Sequence, residues 1–312
     1  MSSIETGSRN ARLRATARGE PVDPSLLGPL VDSRALLGDP PALREALARD
    51  GYLYASGFFP REDVVAARTA VLGRLASVDE IAHPPVEGIA TGRSTRDALH
   101  PDRGAFWRSV SETWALRRVS HGARLHRLMD DLLDAESRAQ DFLFLRPASR
   151  GKHTRVHCDS GFFTRETSRV LTAWIALGDV PIEDGPLFVL EGSHRFADVI
   201  ESQRGFDVAR DTGRRAAYDE TPVAMARARA TRILTGDLGA GDVIVFGMLL
   251  LHGALDNVSP NGRVRLSCDV RYQPAAEPLD PRYFGPEPTG TTGAGYGELV
   301  GAKPLTEDWH IR

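Results

Sequence analysis

VHCDSGFF, residues 156–163, carries the reading of the whole chain. Residues 155–158 form a strand-like run that stops at Ser160-Gly161. Similar runs lie on either side, at 140–145, 170–177, 187–190, 242–246 and 264–272. Turn-forming residues divide them: Pro147, Gly161, Gly185-Pro186, Gly192, Gly239 to Gly241, and Asn261-Gly262. Many short strands punctuated by Gly and Pro are the pattern of an all-β barrel or double sheet.

Upstream the texture is helical. Residues 36–50 spell a helix starting at Pro40-Pro41, with Leu43, Ala46 and Leu47 on one face. Residues 51–59 (GYLYASGFF) read as a strand. Pro60 opens a second helix, with Val64, Ala67, Val71 and Leu75 at helical spacing. Residues 105–133 read as two more helices. The sequence thus suggests a mostly β core with flanking helices. Residues 1–28 are expected to be a loose arm, and 29–312 a single catalytic domain. Within it, 29–139 is the helical part and 140–273 the β core, interrupted by an Arg- and Ala-rich insertion at 195–232. Residues 274–312 form a tail rich in Pro and Gly. The long loop 77–104 and the insertion are the candidate lids.

Composition narrows the function classes. A chain of 312 residues, 41% hydrophobic and 26% charged, is ordinary for a folded protein. Lys+Arg 39 against Asp+Glu 42 gives −3, with no basic excess to suit nucleic acid or an anionic membrane. No apolar run reaches the ~18 residues that span a bilayer, and the start lacks the apolar stretch of a secretory signal. The expected setting is cytoplasmic, with a small-molecule substrate as the partner. Cys158 and Cys268 are the only cysteines, too few for a disulfide framework or a four-cysteine zinc site. The oligomeric state is not legible.

Chemistry concentrates at His157, Asp159 and His252. His157-Cys158-Asp159 is an H-x-D triplet at a strand end, where alternate residues share a face. An imidazole and a carboxylate can therefore aim at one point. His252 follows the strand at 242–246. Two histidines and one carboxylate suit non-haem Fe(II) with open coordination positions. Cys158 points the other way by the same alternation and reads as a small core residue.

Four stretches resemble the phytanoyl-CoA dioxygenase family of Fe(II)/2-oxoglutarate oxygenases, in that family's order. They are VHCDSGFF (156–163), LTAWIALGDVPIEDGPLFVLEGSHR (171–195), GDVIVFGMLLLHGALDNVSP (241–260) and RVRLSCDVRYQ (263–273). The resemblance implies a double-stranded β-helix, the cupin-like jelly-roll barrel, with iron on His157, Asp159 and His252. It implies Fe(II) as cofactor, with 2-oxoglutarate and O2 as cosubstrates. It also implies an arginine that grips the far carboxylate of 2-oxoglutarate. Arg263 and Arg265 both qualify; family spacing favours Arg263, whereas Arg265-Leu266-Ser267 matches the R-x-S of related oxygenases. A planar guanidinium suits the task because it binds a carboxylate through two parallel hydrogen bonds.

Further candidates stand around this core. Gln140 can hydrogen-bond the cosubstrate. Thr172 and Trp174 share a strand face, which the resemblance turns toward 2-oxoglutarate. Phe162 and Phe163 are expected to wall the substrate pocket, and Arg155 to reach it from His157's side of the strand. The resemblance implies an oxygenase that oxidises an unactivated C–H bond with release of succinate and CO2. Because Asp159 is a carboxylate rather than a small residue, hydroxylation is favoured over halogenation. A natural-product intermediate is the expected kind of substrate. The rival readings are a cupin-like barrel that binds metal without redox turnover, and a metal-dependent isomerase.

Overall fold

A computed structural model describes residues 15–308. Two sheets face each other. The larger contains β4 (Tyr52–Ala55), β5 (Ser137–Ala139), β6 (Phe144–Ala148), β8 (Leu171–Ala176), β11 (Val243–Gly247) and β13 (Arg265–Pro274). Its order is β4-β11-β8-β13-β5, with β6 paired to the first half of β13. The smaller runs β3 (Leu27–Gly28), β10 (Ile233–Leu234), β9 (Leu187–Leu190), β12 (His252–Ala254), β7 (Thr154–His157). A separate short hairpin joins β1 (Thr16–Ala17) to β2 (Glu20–Pro21). These strand pairings are antiparallel except β3 with β10. Trp174, Ile244 and Phe246 from one sheet meet Leu187, Val189 and Leu234 from the other in a common buried cluster. This double sheet is the jelly-roll expected from the strand pattern.

β13 organises the larger sheet. Its even-numbered residues Leu266, Cys268, Val270 and Tyr272 enter the apolar layer outside the sheet. There they join Leu43, Val64, Val71, Leu72, Leu116 and Leu125 of the upstream helices. Strand periodicity sends the odd-numbered Arg265, Ser267, Asp269 and Arg271 to the opposite face, and all ten strand residues are buried. The helices follow their local chemistry. Asp39 caps Pro40–Asp50 by accepting from the Ala42 amide at 3.1 Å, and Gly51 ends it at φ 81°. Arg61–Ala76 carries Glu62 and Asp63 in its first turn.

Several boundaries differ from the sequence reading. The two helices expected in 105–133 are three, Arg103–Ser111, Trp114–Ser120 and Ala123–Leu133. The second break falls at Gly122, where a Cβ would lie 2.1 Å from the Arg118 carbonyl. The supposed loose arm is partly built in: Ala15, Ala17, Val22 and Leu27 are buried, and β3 extends the smaller sheet. The rest of that arm, 1–14, lies outside the described residues. The strand expected to begin at Gln140 begins at Phe144. β12 was not foreseen; at three residues it is too short to show a period. The insertion holds two short helices, Ala197–Gln203 and Pro222–Ala228.

The loop 77–104 is anchored from within. Arg96 is fully buried and donates to Glu80 at 2.5 Å and to the carbonyls of Gly301, Ala302 and Lys303 at 2.7–3.0 Å. Gly301 lies against Trp107, whose ring leaves no room for a Cβ. The loop thus holds the C-terminal tail in place. Arg96→Met would strand the Glu80 carboxylate and three carbonyls, since breaking a buried pair by removing one partner destabilises by about 3–5 kcal/mol. Urea unfolding is expected to show a loss of that order.

Candidate active site

β7 delivers His157 at its last residue, and β12 begins at His252, directly across the ladder. Each imidazole is fixed from behind. Nδ1 of His157 donates to the Arg155 carbonyl at 2.9 Å, and Nδ1 of His252 to the Leu250 carbonyl at 3.0 Å. A carbonyl only accepts, so each ring keeps its proton on Nδ1 and its lone pair on Nε2. Both Nε2 atoms face one oxygen, Oδ1 of Asp159, at 3.8 and 3.9 Å. The second oxygen, Oδ2, accepts from Thr172 Oγ1 at 2.7 Å and from Arg271 Nη2 at 2.9 Å.

All three residues are buried. Burial, with His252 alongside, pulls His157 down to about 3, and burial also lowers His252. Burial works to raise Asp159, but Arg271, the two imidazoles and the Thr172 hydroxyl outweigh it and hold the carboxyl below its usual range. At neutral pH the donor set is two neutral imidazoles and one carboxylate, with ligand atoms within 4.8 Å of one another. That set fits a divalent metal of the non-haem iron type, and the backbone and Thr172 contacts are the supporting bonds such ligands need.

Two cavities meet at the triad. A small one lies between the sheets and is lined by Arg146, Trp174, Phe246, His252, Arg265 and Asp269 among others. A larger one of ≈ 240 Å³ is lined by Phe144, Phe162, Phe163, Arg271 and the tail residues Thr291, Thr292, Glu298, Leu299 and Val300. His157 and Arg146 line both.

The expected site residues divide accordingly. Thr172 touches Asp159, Trp174 lines the small cavity, and Phe162 and Phe163 line the large one. Arg263 lines neither. It precedes β13, is one-third exposed, and its Nε donates to Asp184 at 2.5 Å. Arg265 instead is buried in the small cavity; its Nη1 donates to Ser267 Oγ at 2.6 Å and its Nε has no protein partner. Burial lowers Arg265 to about 10, so it remains cationic at neutral pH. Gln140 is buried with its Oε1 unpartnered, but it lines neither cavity.

Arg155 is also displaced from the site. Thr154 and His157 both line the small cavity because β7 bulges, with Thr154 to His157 opposite the shorter span Ala254 to His252. The bulge breaks strict alternation, and Arg155 turns out to pair with Asp219 at 3.0 Å. Of the two candidate lids, the loop 77–104 lines neither cavity, and the insertion contributes Val208 to the larger one. The sequence reading missed Arg271, Arg146 and the tail. The signal for the first was present: a strand whose every second residue is Arg, Ser, Asp, Arg needs a polar interior.

A double-stranded β-helix with a two-histidine, one-carboxylate site is the class this geometry defines. The family model of phytanoyl-CoA dioxygenase matches residues 47–265, and the chain belongs to that family. Among solved structures, the fold is shared with "the non-heme alpha ketoglutarate dependent epimerase SnoN from nogalamycin biosynthesis" (23% identity over 88% of this chain and 97% of that one, TM-score 0.51). The carbocyclase SnoK from the same biosynthesis is 22% identical over 90% and 97%, with TM-score 0.52. EctD from S. alaskensis is 21% identical over 85% and 91%, with TM-score 0.53. At these identities the likeness is one of fold. No curated protein matches the chain by sequence. No helix among the described residues is long and apolar enough to cross a membrane.

Loss of a bond that orients a metal ligand typically weakens binding by about 10–100-fold. Thr172→Val removes one of the two donors to Asp159 Oδ2 and is expected to weaken Fe(II) binding within that range. Competition with a chromophoric chelator under anaerobic conditions measures it.

Proposed function

We propose that this protein is an Fe(II)/2-oxoglutarate-dependent oxygenase that hydroxylates an unactivated C–H bond of a small or medium-sized organic molecule. The observation that carries the reading is the meeting of two cavities of different size at one buried triad. The smaller has the cationic Arg265 in its lining to attract a compact dianionic cosubstrate, and the larger has room for an organic substrate. When bound, iron supplies the oxidising chemistry, using dioxygen and the 2-oxo acid and releasing succinate and CO2. The chain positions the reactants and excludes water.

In this reading His157, Asp159 and His252 hold the metal. Arg265, not Arg263, anchors the far carboxylate of 2-oxoglutarate. Arg265 lines the small cavity with its Nε unpartnered, whereas the Arg263 guanidinium is already engaged by Asp184. A buried cationic N–H without a partner is costly, and a carboxylate satisfies it with a charge-assisted bond. Trp174 and Phe246 wall the same cavity. Phe162 and Phe163 form the apolar wall on the substrate side. Gln140 and Arg155 line neither cavity and are given no binding role in this reading.

Hydroxylation is the simplest outcome, and a natural-product intermediate the proposed kind of substrate. The epimerase SnoN and the carbocyclase SnoK share the fold, which supports epimerisation and ring formation as the alternative outcomes. A reducing cytoplasm, where iron stays ferrous and free cysteines persist, suits the same assignment.

The test is anaerobic addition of Fe(II) and 2-oxoglutarate, watching for the weak visible charge-transfer band of a chelated 2-oxo acid. The expected result is a band in the wild type and in Arg263→Ala, and its loss at the same 2-oxoglutarate concentration in Arg265→Ala. On admitting oxygen, succinate release should follow the same ranking. Bound iron without a band in the wild type would favour the non-redox metal-binding barrel. A metal-dependent isomerase would turn over without consuming oxygen.

A further inference from the structure

The linings of the two cavities hold guanidinium N–H groups with no acceptor. Three guanidiniums, those of Arg146, Arg265 and Arg271, line the two cavities. Two buried carboxylates, Asp159 and Asp269, stand among them. Arg146 Nε donates to Asp269 at 2.5 Å, and Arg271 Nη2 to Asp159 at 2.9 Å. Glu298 is a third carboxylate in the lining, so the formal charges balance, yet Nε of Arg265 and Nε and Nη1 of Arg271 have no partner. Iron(II) and the 2-oxoglutarate dianion add charges that cancel, so their arrival leaves that formal balance unchanged. A buried cationic N–H without an acceptor is costly, and an anionic oxygen is its natural partner.

Arg271 is where such N–H groups border the larger cavity. It is 1% exposed and lines the larger cavity, yet its Nε and Nη1 have no protein partner. Its guanidinium carbon sits 4.4 Å from the Phe144 ring centroid and 4.3 Å from that of Phe163. The stacking fixes the plane of the group without using those N–H bonds. Glu298, in the lining of the same cavity, makes no hydrogen bond to these N–H groups. Its oxygens already accept from the Thr291 amide at 2.7 Å and from Thr292 N and Oγ1 at 2.5 and 2.6 Å.

We propose that the substrate carries an anionic oxygen group on a largely apolar body, and that Arg271 receives that group beside the metal. Carboxylate, enolate and phenolate share this chemistry. The proposal rests on the oxygenase reading and adds a substrate class to it. Phe144, Phe162 and Phe163 give the apolar body its walls. Arg271 would then do two things: its Nη2 steadies Asp159, and its free edge binds the substrate.

The test uses the anaerobic protein loaded with Fe(II) and 2-oxoglutarate. Benzoate, 2-naphthoate and anthracene-2-carboxylate are titrated in, each against its neutral carboxamide. Calorimetry measures binding, and the visible band reports whether 2-oxoglutarate stays in place. A charge-assisted hydrogen bond predicts that at least one acid binds about tenfold tighter than its amide, with the band retained. In Arg271→Gln the preference should fall to near parity. Arg271→Lys, which keeps the charge but not the planar fork, should hold an intermediate preference. Equal binding of every acid and its amide in the wild type would overturn the proposal without recourse to any variant. So would an acid that abolishes the band, because it would have taken the cosubstrate's seat. Absence of the band before any acid is added would overturn the oxygenase reading itself, and the proposal with it.

Discussion

The Asp159 carboxylate is divided between two tasks, and the site depends on that division. Oδ2 is held by Thr172 from β8 and by Arg271 from β13. Oδ1 is left facing the two imidazole nitrogens. Without the two donors, nothing in the ladder would keep Asp159, which sits beyond the end of β7, aimed between the sheets. The two sheets therefore meet chemically at one side chain: the smaller supplies both histidines, and the larger steadies the carboxylate that completes the set.

This arrangement puts a constraint on β13. It must be apolar toward the helices and polar toward the barrel, and its alternation of Leu266, Cys268, Val270, Tyr272 with Arg265, Ser267, Asp269, Arg271 meets both needs. Charges buried this deeply contribute little to net stability, because their desolvation penalty offsets their attraction. Their retention inside a jelly-roll is better understood through ligands. In the proposed function, the N–H groups of Arg265 and Arg271 that lack protein partners are the ones that anionic ligands would satisfy. The helical layer and the Glu80–Arg96 pair act at a distance, by keeping the larger sheet covered and the tail residues 299–303 in position at the substrate side.

Much of the fold was legible from the sequence, because half-buried strands with Gly and Pro between them leave a clear signature. The run 187–190 matches β9 residue for residue, and the helix from Pro60 is one residue out at its start. His157, Asp159 and His252 were legible because metal-type donors at a strand end are few. What failed had local causes. Strict alternation placed Arg155 with His157, but the β7 bulge between them is invisible in a sequence. Arg263 and Arg265 share a spacing pattern, and a sequence does not show that the first meets Asp184 while the second is buried in the lining of the small cavity. Glycine- and proline-rich tails look structureless in a sequence, yet here Gly301 is needed where the chain meets Trp107. Arg271 could have been found by asking what a buried strand with charged alternate residues must face.

The most direct measurement is an anaerobic crystal structure with Fe(II) and 2-oxoglutarate bound. The account predicts iron on Nε2 of His157, Nε2 of His252 and Oδ1 of Asp159, with the far carboxylate of 2-oxoglutarate on Arg265. A metal bound away from this triad, or a 2-oxoglutarate carboxylate resting on Arg263 with Arg265 left unpartnered, would contradict it.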